Sequence, residues 1–221
     1  MMHLVISRGQ ILDNLCHQID SFFSCTEEER TILDTYFDKA LERVKICFQG
    51  VDNKYFKTES GGVKFNPFHS IQYMTFLYTL ANELYRNRVT SILTDKLYYL
   101  NKIMNGLDMF YAIELPEVWS AEHPVGAVLG RAKYGEGFFF YQGCTVGGNR
   151  GKDGILYYPV IGNNVRMYAN SSFIGKCKIG DNVILGAATL VKDTDIPSNS
   201  IVFGQSPNLI IKENKHKCID I

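Results

Sequence analysis

The sequence predicts an α+β protein, in which an all-helical amino-terminal domain (residues 1–108) precedes a β-solenoid domain (residues 109–221). Two observations lead to this prediction. Between about residues 8 and 105, apolar residues recur every three to four positions, which is the spacing of one helix face. From about residue 112 the spacing changes to a period of six, which suits short strands that turn a corner every six residues and stack into coils.

The helical domain contains three clear helical segments. The first begins at Thr26, because Thr26 and Glu29 have the spacing of a capping box, and it ends at Gly50. Two further segments span about 69–86 and 91–104. The polar, glycine-containing stretch 51–67 is predicted to be a loop, long enough to be functional or mobile.

The repeats are clearest in six consecutive blocks of six residues. Each block opens with an apolar residue, and the opening residues are Ile161, Met167, Phe173, Ile179, Leu185 and Val191. These side chains are expected to fill a narrow core. If three sides make one coil, residues eighteen apart stack: Ile161 on Ile179, Met167 on Leu185 and Phe173 on Val191. The alternative is a sandwich with accidental spacing, and six blocks in register argue against it.

Small residues also have a place in these blocks. The fifth position of successive blocks holds Val165, Ser171, Cys177, Val183 and Thr189. Glycine fills the second position three times, at Gly162, Gly180 and Gly186. We expect either that a corner there demands a positive φ or that a side chain would crowd a neighbouring coil.

Charge and hydropathy restrict the function classes. Among 221 residues, 23 Lys+Arg balance 23 Asp+Glu, whereas a protein that binds nucleic acid or an anionic membrane usually has a basic surplus. No apolar stretch approaches the roughly 18 residues of a membrane span. The amino-terminal apolar run is too short and too polar for a signal peptide. The sequence therefore predicts a soluble cytoplasmic protein that binds neither nucleic acid nor a membrane.

The cysteines do not indicate a metal site. There is no C-x-x-C pair and no histidine at metal-ligand spacing. We expect reduced, mostly buried thiols and no metal; the six residues are Cys16, Cys25, Cys47, Cys144, Cys177 and Cys218.

Five motifs between about residues 112 and 208 form a set. They are H-P-V-G-A-V-L-G from His123, C-T-V-G-G from Cys144, Y-P-V-I-G from Tyr158, T-L-V-K-D from Thr189 and V-F-G-Q-S-P from Val202. In this set the chain resembles the hexapeptide-repeat acyltransferases, and within them the serine acetyltransferases. The stretch F-H-S-I-Q (68–72) resembles F-H-A-L-Q in that family's helical domain. The resemblance implies a left-handed parallel β-helix, acetyl-CoA as co-substrate and a hydroxyl acceptor.

His123 matches the family's catalytic histidine and is the one histidine of the repeat region. Imidazole suits a general base that takes the acceptor's proton near neutral pH. The family also places a carboxylate upstream to orient the ring. Glu114 is the predicted match by its flanking residues, Asp108 keeps the family's interval, and Glu117 is a third candidate. The alternative reading is a surface histidine at a corner.

The resemblance implies four further binding residues, and the block spacing adds a fifth, Ala187. Glu122 matches an aspartate that contacts the acceptor, and Gly148 and Ala169 match residues that contact coenzyme A. Ala187 is expected to stack on Ala169 and leave a shallow groove for the pantetheine arm. Lys192 matches a lysine that could meet the 3′-phosphate of the coenzyme. The alternatives are solvated surface groups at Glu122 and Lys192, a turn at Gly148, and tight corner packing at Ala169 and Ala187.

One departure concerns the acceptor. Where the family has an Arg-His pair that helps hold a carboxylate, this chain has Tyr157 and Tyr158, which are better suited to stacking on a sugar. Both tyrosines are predicted to bind substrate. Arg131, Arg150 and Lys152 are alternative anion clamps. The acceptor therefore stays open between serine and a sugar.

Three functions remain. The favoured one is acetyl-CoA-dependent O-acetyl transfer of the serine acetyltransferase type, with His123 as base. The same mechanism on a sugar or polysaccharide oxygen or nitrogen is one alternative, and a non-catalytic hexapeptide scaffold is another. A metal-dependent hydratase is set aside, because it would need three histidines around zinc and the repeats contain one. The resemblance also implies a homotrimer, or a hexamer made through the helical domains.

Overall fold

The computed structural model describes residues 2–215, and its contacts form two compact units, Met1–Asn105 and Gly106–Ile221. Cys218, and the end of the predicted carboxy-terminal tail, lie outside the described residues. The first unit contains helices α1 (Arg8–Phe22), α2 (Glu27–Gln49), α3 (Ser70–Arg86) and α4 (Leu93–Asn105). It also holds a 3₁₀ helix (Lys54–Phe56) and the parallel strands β1 (His3–Leu4) and β2 (Lys64–Phe65).

The helix starts follow local hydrogen bonding. The predicted capping box of α2 is confirmed: Thr26 Oγ1 accepts from the Glu29 N–H at 3.2 Å, and the Glu29 carboxylate accepts from the Thr26 N–H at 3.0 Å. Gly50 follows the last residue of α2, as predicted. Sequence reasoning did not separate α1, although Ser7 and Gln10 form the same kind of box at its start.

The stretch 51–67 was predicted to be a loop and contains more structure than that. Gln72 of the F-H-S-I-Q motif is fully buried and reaches both parts of the stretch. Its amide donates to the Tyr55 carbonyl at 2.9 Å, and its side-chain oxygen accepts from the Asn66 N–H at 2.6 Å. The glutamine therefore fixes the loop to the start of α3.

One buried ion pair joins α2 to α4. Lys96 Nζ lies 2.6 Å from the Glu29 carboxylate, and the two side chains are 12% and 8% exposed. Burial raises the pKa of Glu29, but the bonds from Lys96 and Thr26 outweigh it and leave the pKa below its ordinary value.

The second unit is a parallel β-solenoid of about 5 turns from residue 108 to residue 205, as the six-residue period predicts. Its first face contains β3 (Asp108–Met109), β5 (Val128–Leu129), β7 (Thr145–Gly147), β12 (Ser172–Ile174) and β15 (Leu190–Lys192). Its second face contains β4 (Trp119–Ala121), β6 (Phe138–Phe140), β11 (Arg166–Met167), β14 (Val183–Leu185) and β16 (Ser200–Gln205). The third face contains β10 (Val160–Ile161) and β13 (Lys178–Ile179).

Two antiparallel pairs depart from the coil. The strands β8 (Asn149–Arg150) and β9 (Leu156–Tyr157) form a hairpin between the first and third faces. The strand β17 (Asn208–Glu213) pairs with β16 at the end of the solenoid, where it covers one side of that strand's backbone.

The predicted stacking at eighteen residues is confirmed. Ile161 pairs with Ile179, Met167 with Leu185 and Phe173 with Val191. All six opening side chains are buried, and so are the five fifth-position residues, Val165, Ser171, Cys177, Val183 and Thr189.

The glycines at the second position are explained by crowding. A Cβ on Gly180 would lie 2.4 Å from the Ser198 nitrogen, and one on Gly162 would lie 2.7 Å from the Gly180 carbonyl carbon. Positive φ angles occur instead at the fourth position, at Asn164, Asn170, Asn182 and Ala188. Asparagine tolerates this conformation better than most residues, which accounts for its recurrence there.

The five described cysteines are free thiols. Cys16, Cys47, Cys144 and Cys177 are buried, and Cys25 is half-buried. Among residues 2–215, none of the helices combines the length and the apolar character that crossing a membrane requires.

Candidate active site

His123 lies in an enlarged corner between the second and first faces. Ala121 pairs with Phe140 before this corner, and Val128 pairs with Thr145 after it. Six residues, 122–127, therefore occupy a corner that four residues, 141–144, occupy in the next coil. The corresponding corners of the two following coils, 168–171 and 186–189, also have four. The corner that carries His123 is thus two residues longer than its successors.

The extra residues place His123 in an uncommon conformation. Its φ is +51°, in the left-handed region, and its side chain is exposed. Such a backbone costs about 1–3 kcal/mol unless the surroundings impose it. Here the Val125 N–H donates to the His123 carbonyl at 2.7 Å, and the Gly126 N–H donates to the Gly106 carbonyl at 2.7 Å. These bonds hold the corner in the shape that exposes the imidazole.

The three candidate carboxylates occupy different places. Asp108 begins β3, and its N–H donates to the carbonyl of Ala127, the last residue of the His123 corner, at 2.8 Å. Because Met109 is directed into the core, strand alternation turns Asp108 outward. Glu114 and Glu117 are exposed and precede β4, whereas His123 follows it. The structure thus places Asp108, rather than the predicted Glu114, in the strand that borders the corner.

One tyrosine that sequence reasoning did not single out, Tyr141, lies beside Glu122, and a second, Tyr168, stacks on it. Burial, with Glu122 as hydrogen-bond acceptor, raises the pKa of Tyr141 to about 12. The ring of Tyr141 stacks on that of Tyr168, with centroids 5.2 Å apart and planes at 10°. Each follows an inward-facing residue, at the second position of its block. A tyrosine where other blocks have glycine was the signal that could have identified them.

The predicted substrate residues of the hairpin are engaged by neighbours. The Tyr157 hydroxyl donates to Asp153 at 2.7 Å, and the Tyr158 hydroxyl accepts from Arg131 at 3.3 Å. The Tyr158 ring also packs on Gly148, where a Cβ would lie 2.8 Å from a ring carbon. Gly148 therefore has a packing requirement independent of any coenzyme contact.

The remaining predicted coenzyme residues lie further along the solenoid. Ala169 and Ala187 stack as predicted, and the N–H of the neighbouring Ala188 donates to the Ala169 carbonyl at 2.9 Å. Both lie in corners between the second and first faces, the same edge that carries His123. Lys192 is exposed at the end of β15, and its N–H donates to Ser206 Oγ at 3.0 Å. Within the described part of the chain, no three His, Cys, Asp or Glu side chains converge on a metal-sized position.

The repeats match a known family model. The model described as bacterial transferase hexapeptide (six repeats) matches residues 158–193. Serine acetyltransferase of Synechococcus elongatus is 32% identical over 126 residues, which cover 57% of this chain and 50% of that protein. Serine acetyltransferase of Staphylococcus epidermidis is 29% identical over 137 residues, with coverages of 62% and 63%. The chain thus spans between half and two thirds of the length of these relatives.

Solved structures agree in fold. Neisseria gonorrhoeae serine acetyltransferase superposes with a TM-score of 0.71 at 21% identity, covering 96% of this chain and 82% of that one. The same enzyme in complex with serine gives a TM-score of 0.66 at 20% identity, with coverages of 93% and 84%. A serine acetyltransferase complex with CoA gives 0.69 at 15% identity, with coverages of 92% and 84%. This chain thus resembles the serine acetyltransferases in sequence and in fold, and residues 158–193 match the hexapeptide repeats of bacterial transferases.

Proposed function

We propose that the chain transfers an acetyl group from acetyl-CoA to a hydroxyl of a small acceptor, with His123 as the general base. The observation that most supports this is the enlarged corner, which exposes one imidazole in a fixed, left-handed backbone conformation. Relatives named serine acetyltransferase support the reaction class, and a fold neighbour in complex with CoA supports the donor.

The proposed step is direct transfer. Neutral His123 takes the proton of the acceptor hydroxyl as the oxygen attacks the thioester carbon. The tetrahedral intermediate then expels the coenzyme thiolate, which receives the proton back from the imidazolium. The new C–O bond replaces the C–S bond, so that the products are the acetyl ester and free coenzyme A. General-base assistance of this kind contributes about 10²- to 10⁴-fold in rate.

Asp108 takes the orienting role that sequence reasoning gave to Glu114. A carboxylate next to the imidazole would fix its tautomer and stabilise the imidazolium. The hydrogen bond from the Asp108 N–H to Ala127 supports this role, because it fixes β3 against the corner. Glu122, adjacent in sequence to His123, would contact the acceptor.

The pantetheine arm would follow the corner edge past Ala169 and Ala187, whose small side chains leave room beside the backbone. Lys192 would meet the phosphate end of the coenzyme through a charge-assisted bond. The exposed valines Val125 and Val128, 66% and 41% accessible, support completion of the site by a neighbouring copy in a homotrimer.

Release of coenzyme A, followed with a thiol reagent, tests this proposal. We expect His123→Ala to lower kcat/KM by at least about 10²-fold, while a matched histidine variant in the helical unit, His17→Ala, keeps wild-type turnover. The kcat/KM of Asp108→Asn is expected to lie between the values of these two variants, and that of Glu114→Gln is expected to stay close to wild type. A folded His123→Ala variant with undiminished turnover would contradict the mechanism, and failure of calorimetry to detect acetyl-CoA binding would favour the scaffold.

A further inference from the structure

We infer that the acceptor is a sugar ring, held against the tyrosine pair formed by Tyr141 and Tyr168. This inference rests on the proposed acetyl transfer and names the substrate class of the same site. It places the acceptor on the second face of the solenoid, next to Glu122 and the His123 corner, rather than on the hairpin tyrosines.

The tyrosine pair lies along the solenoid axis. Phe140 and Met167 are paired between β6 and β11, so the residues that follow them, Tyr141 and Tyr168, occupy equivalent places in successive coils. Their rings are nearly parallel, at 10°, and both residues are half-buried. The Glu122 carboxylate, which directly precedes His123, helps to raise the pKa of Tyr141. A ligand on this pair would therefore end beside the His123 corner.

A cation completes the group. The Arg166 guanidinium carbon lies 4.6 Å from the centroid of the Phe139 ring, and this cation also acts on Tyr141. Phe139 in turn lies 5.2 Å from the Tyr141 ring in an edge-on arrangement. The second face therefore offers a carboxylate acceptor, two phenol hydroxyls that donate and accept, and guanidinium donors, all beside aromatic rings.

This combination fits a sugar better than an amino acid. A sugar ring has neighbouring hydroxyls that a carboxylate or guanidinium can bridge, and C–H groups that pack on aromatic rings. Coils repeat at about 4.8 Å, so Arg166 and Tyr168 stand about 10 Å along the axis from Glu122. The hydroxyl and carboxylate of serine are separated by only about 4–5 Å, which spans about one coil, whereas the residues from Glu122 to Tyr168 extend over two coil spacings.

The position of the tyrosines is a second argument. They occupy the second place of their blocks, and in the following coil of the same face that place is Gly186, so the coil itself does not require an aromatic side chain there.

Acetyl-transfer assays with defined acceptors test the inference. The probes are L-serine, N-acetylglucosamine and the α and β methyl glycosides of glucose, galactose and mannose. We expect at least one sugar to be acetylated. Tyr168→Ala should raise the KM for that sugar at least tenfold and leave the KM for acetyl-CoA within twofold. Tyr168→Phe, which keeps the ring, should raise the KM for the sugar about threefold. The control variant Tyr55→Phe, at an exposed tyrosine, should change neither the KM for the sugar nor the KM for acetyl-CoA.

Results that contradict the sugar inference can be distinguished from results that contradict acetyl transfer itself. Turnover of serine with every sugar inert would overturn the inference and leave acetyl transfer standing. A Tyr168→Ala variant whose KM rises for acetyl-CoA instead would place the pair on the coenzyme and would also overturn it. If nothing is acetylated, the proposed function fails. Saturation-transfer NMR with the glycosides then decides: binding to wild type that is lost in Tyr168→Ala supports a sugar site on the tyrosine pair, and binding that is absent from wild type or retained in Tyr168→Ala overturns it.

Discussion

The helical unit and the solenoid accommodate their polar groups in different ways. In the helical unit, charged side chains far apart in sequence form largely buried ion pairs, such as Glu29 with Lys96 and Arg43 with Glu83. In the solenoid, polar side chains bond to the backbone of the next coil at the corners, as Asp181 does to the Asn163 N–H at 2.7 Å. The helical unit thus depends on a few paired charges, whereas the solenoid depends on the fit between neighbouring coils.

Breaking the buried pair should have the largest effect. Lys96→Met leaves the Glu29 carboxylate covered without its cation, which we expect to cost about 3–4 kcal/mol of unfolding free energy. Urea denaturation followed by circular dichroism at 222 nm measures it. The control Lys45→Met, which removes the more exposed pair with Glu42, should cost less than about 0.5 kcal/mol. Equal losses in the two variants would show that burial of the pair does not matter.

Crowding a coil should come next. Gly180→Ala puts a Cβ against the backbone of Ser198 and is expected to cost about 2–3 kcal/mol. Fluorescence of the single tryptophan, Trp119 in β4, reports unfolding of the solenoid. At Gly147 the nearest atom to an added Cβ is a flexible Ile174 carbon at 3.7 Å. Gly147→Ala should therefore change stability by less than about 0.5 kcal/mol, and a loss as large as that of Gly180→Ala would refute the crowding explanation.

Acid should act on the helical unit through Glu29, whereas alkali should act on the solenoid through Tyr141 and on the helical unit through Tyr73, whose pKa is also raised by burial. The pKa of Glu29 is lower in the folded state than the ordinary 4.5, so its stabilisation is present above pH 4.5 and lost as pH falls through the folded value. The pKa of Tyr141 is raised from 10.0 to about 12, so the solenoid loses stability as pH rises from about 10. Ellipticity and tryptophan fluorescence, read separately, follow the two. Lys96→Met should remove the acid effect, and a Tyr141→Phe variant whose tryptophan signal keeps the full alkaline loss would contradict the assignment to Tyr141.

The smallest predicted effect is that of replacing an alanine by glycine, which should stabilise the solenoid and destabilise the helical unit. Ala188 has a φ of +58°, so Ala188→Gly relieves strain and should stabilise the solenoid by about 0.5–1 kcal/mol. Ala81 lies inside α3, where Ala81→Gly should destabilise the helical unit by about 1 kcal/mol. Thermal unfolding with both probes compares them. Destabilisation by both substitutions would mean that the left-handed corner carries no strain.

The solenoid core was predictable because its period is strict. The expectation that residues eighteen apart stack placed Met167 on Leu185 and Phe173 on Val191, because every coil repeats the same geometry. The α2 helix was predictable because its capping box is a local signal. The same signal at Ser7 and Gln10 went unused for α1.

The site was harder to predict because it lies where the repeat is interrupted. Counting residues favoured neither Glu114 nor Asp108 decisively, and only the pairing of β3 with β5 shows which one borders the corner. Tyr141 and Tyr168 are 27 residues apart, so their contact depends on the length of the intervening hairpin. Two aromatics that are distant in sequence become neighbours only after the register is known.

The stacking of coils is unaffected by how much chain leaves and re-enters at a corner. The first and second coils keep their pairing around two additional residues at His123, and Ser172 pairs with Thr145 across 27 residues as regularly as it pairs with Leu190 across 18. Loop length and core packing are therefore separable variables in this architecture. The segments 122–127 and 148–158 can therefore be lengthened, shortened or exchanged while the same coils persist, so changes of sequence there are decoupled from the packing of the core.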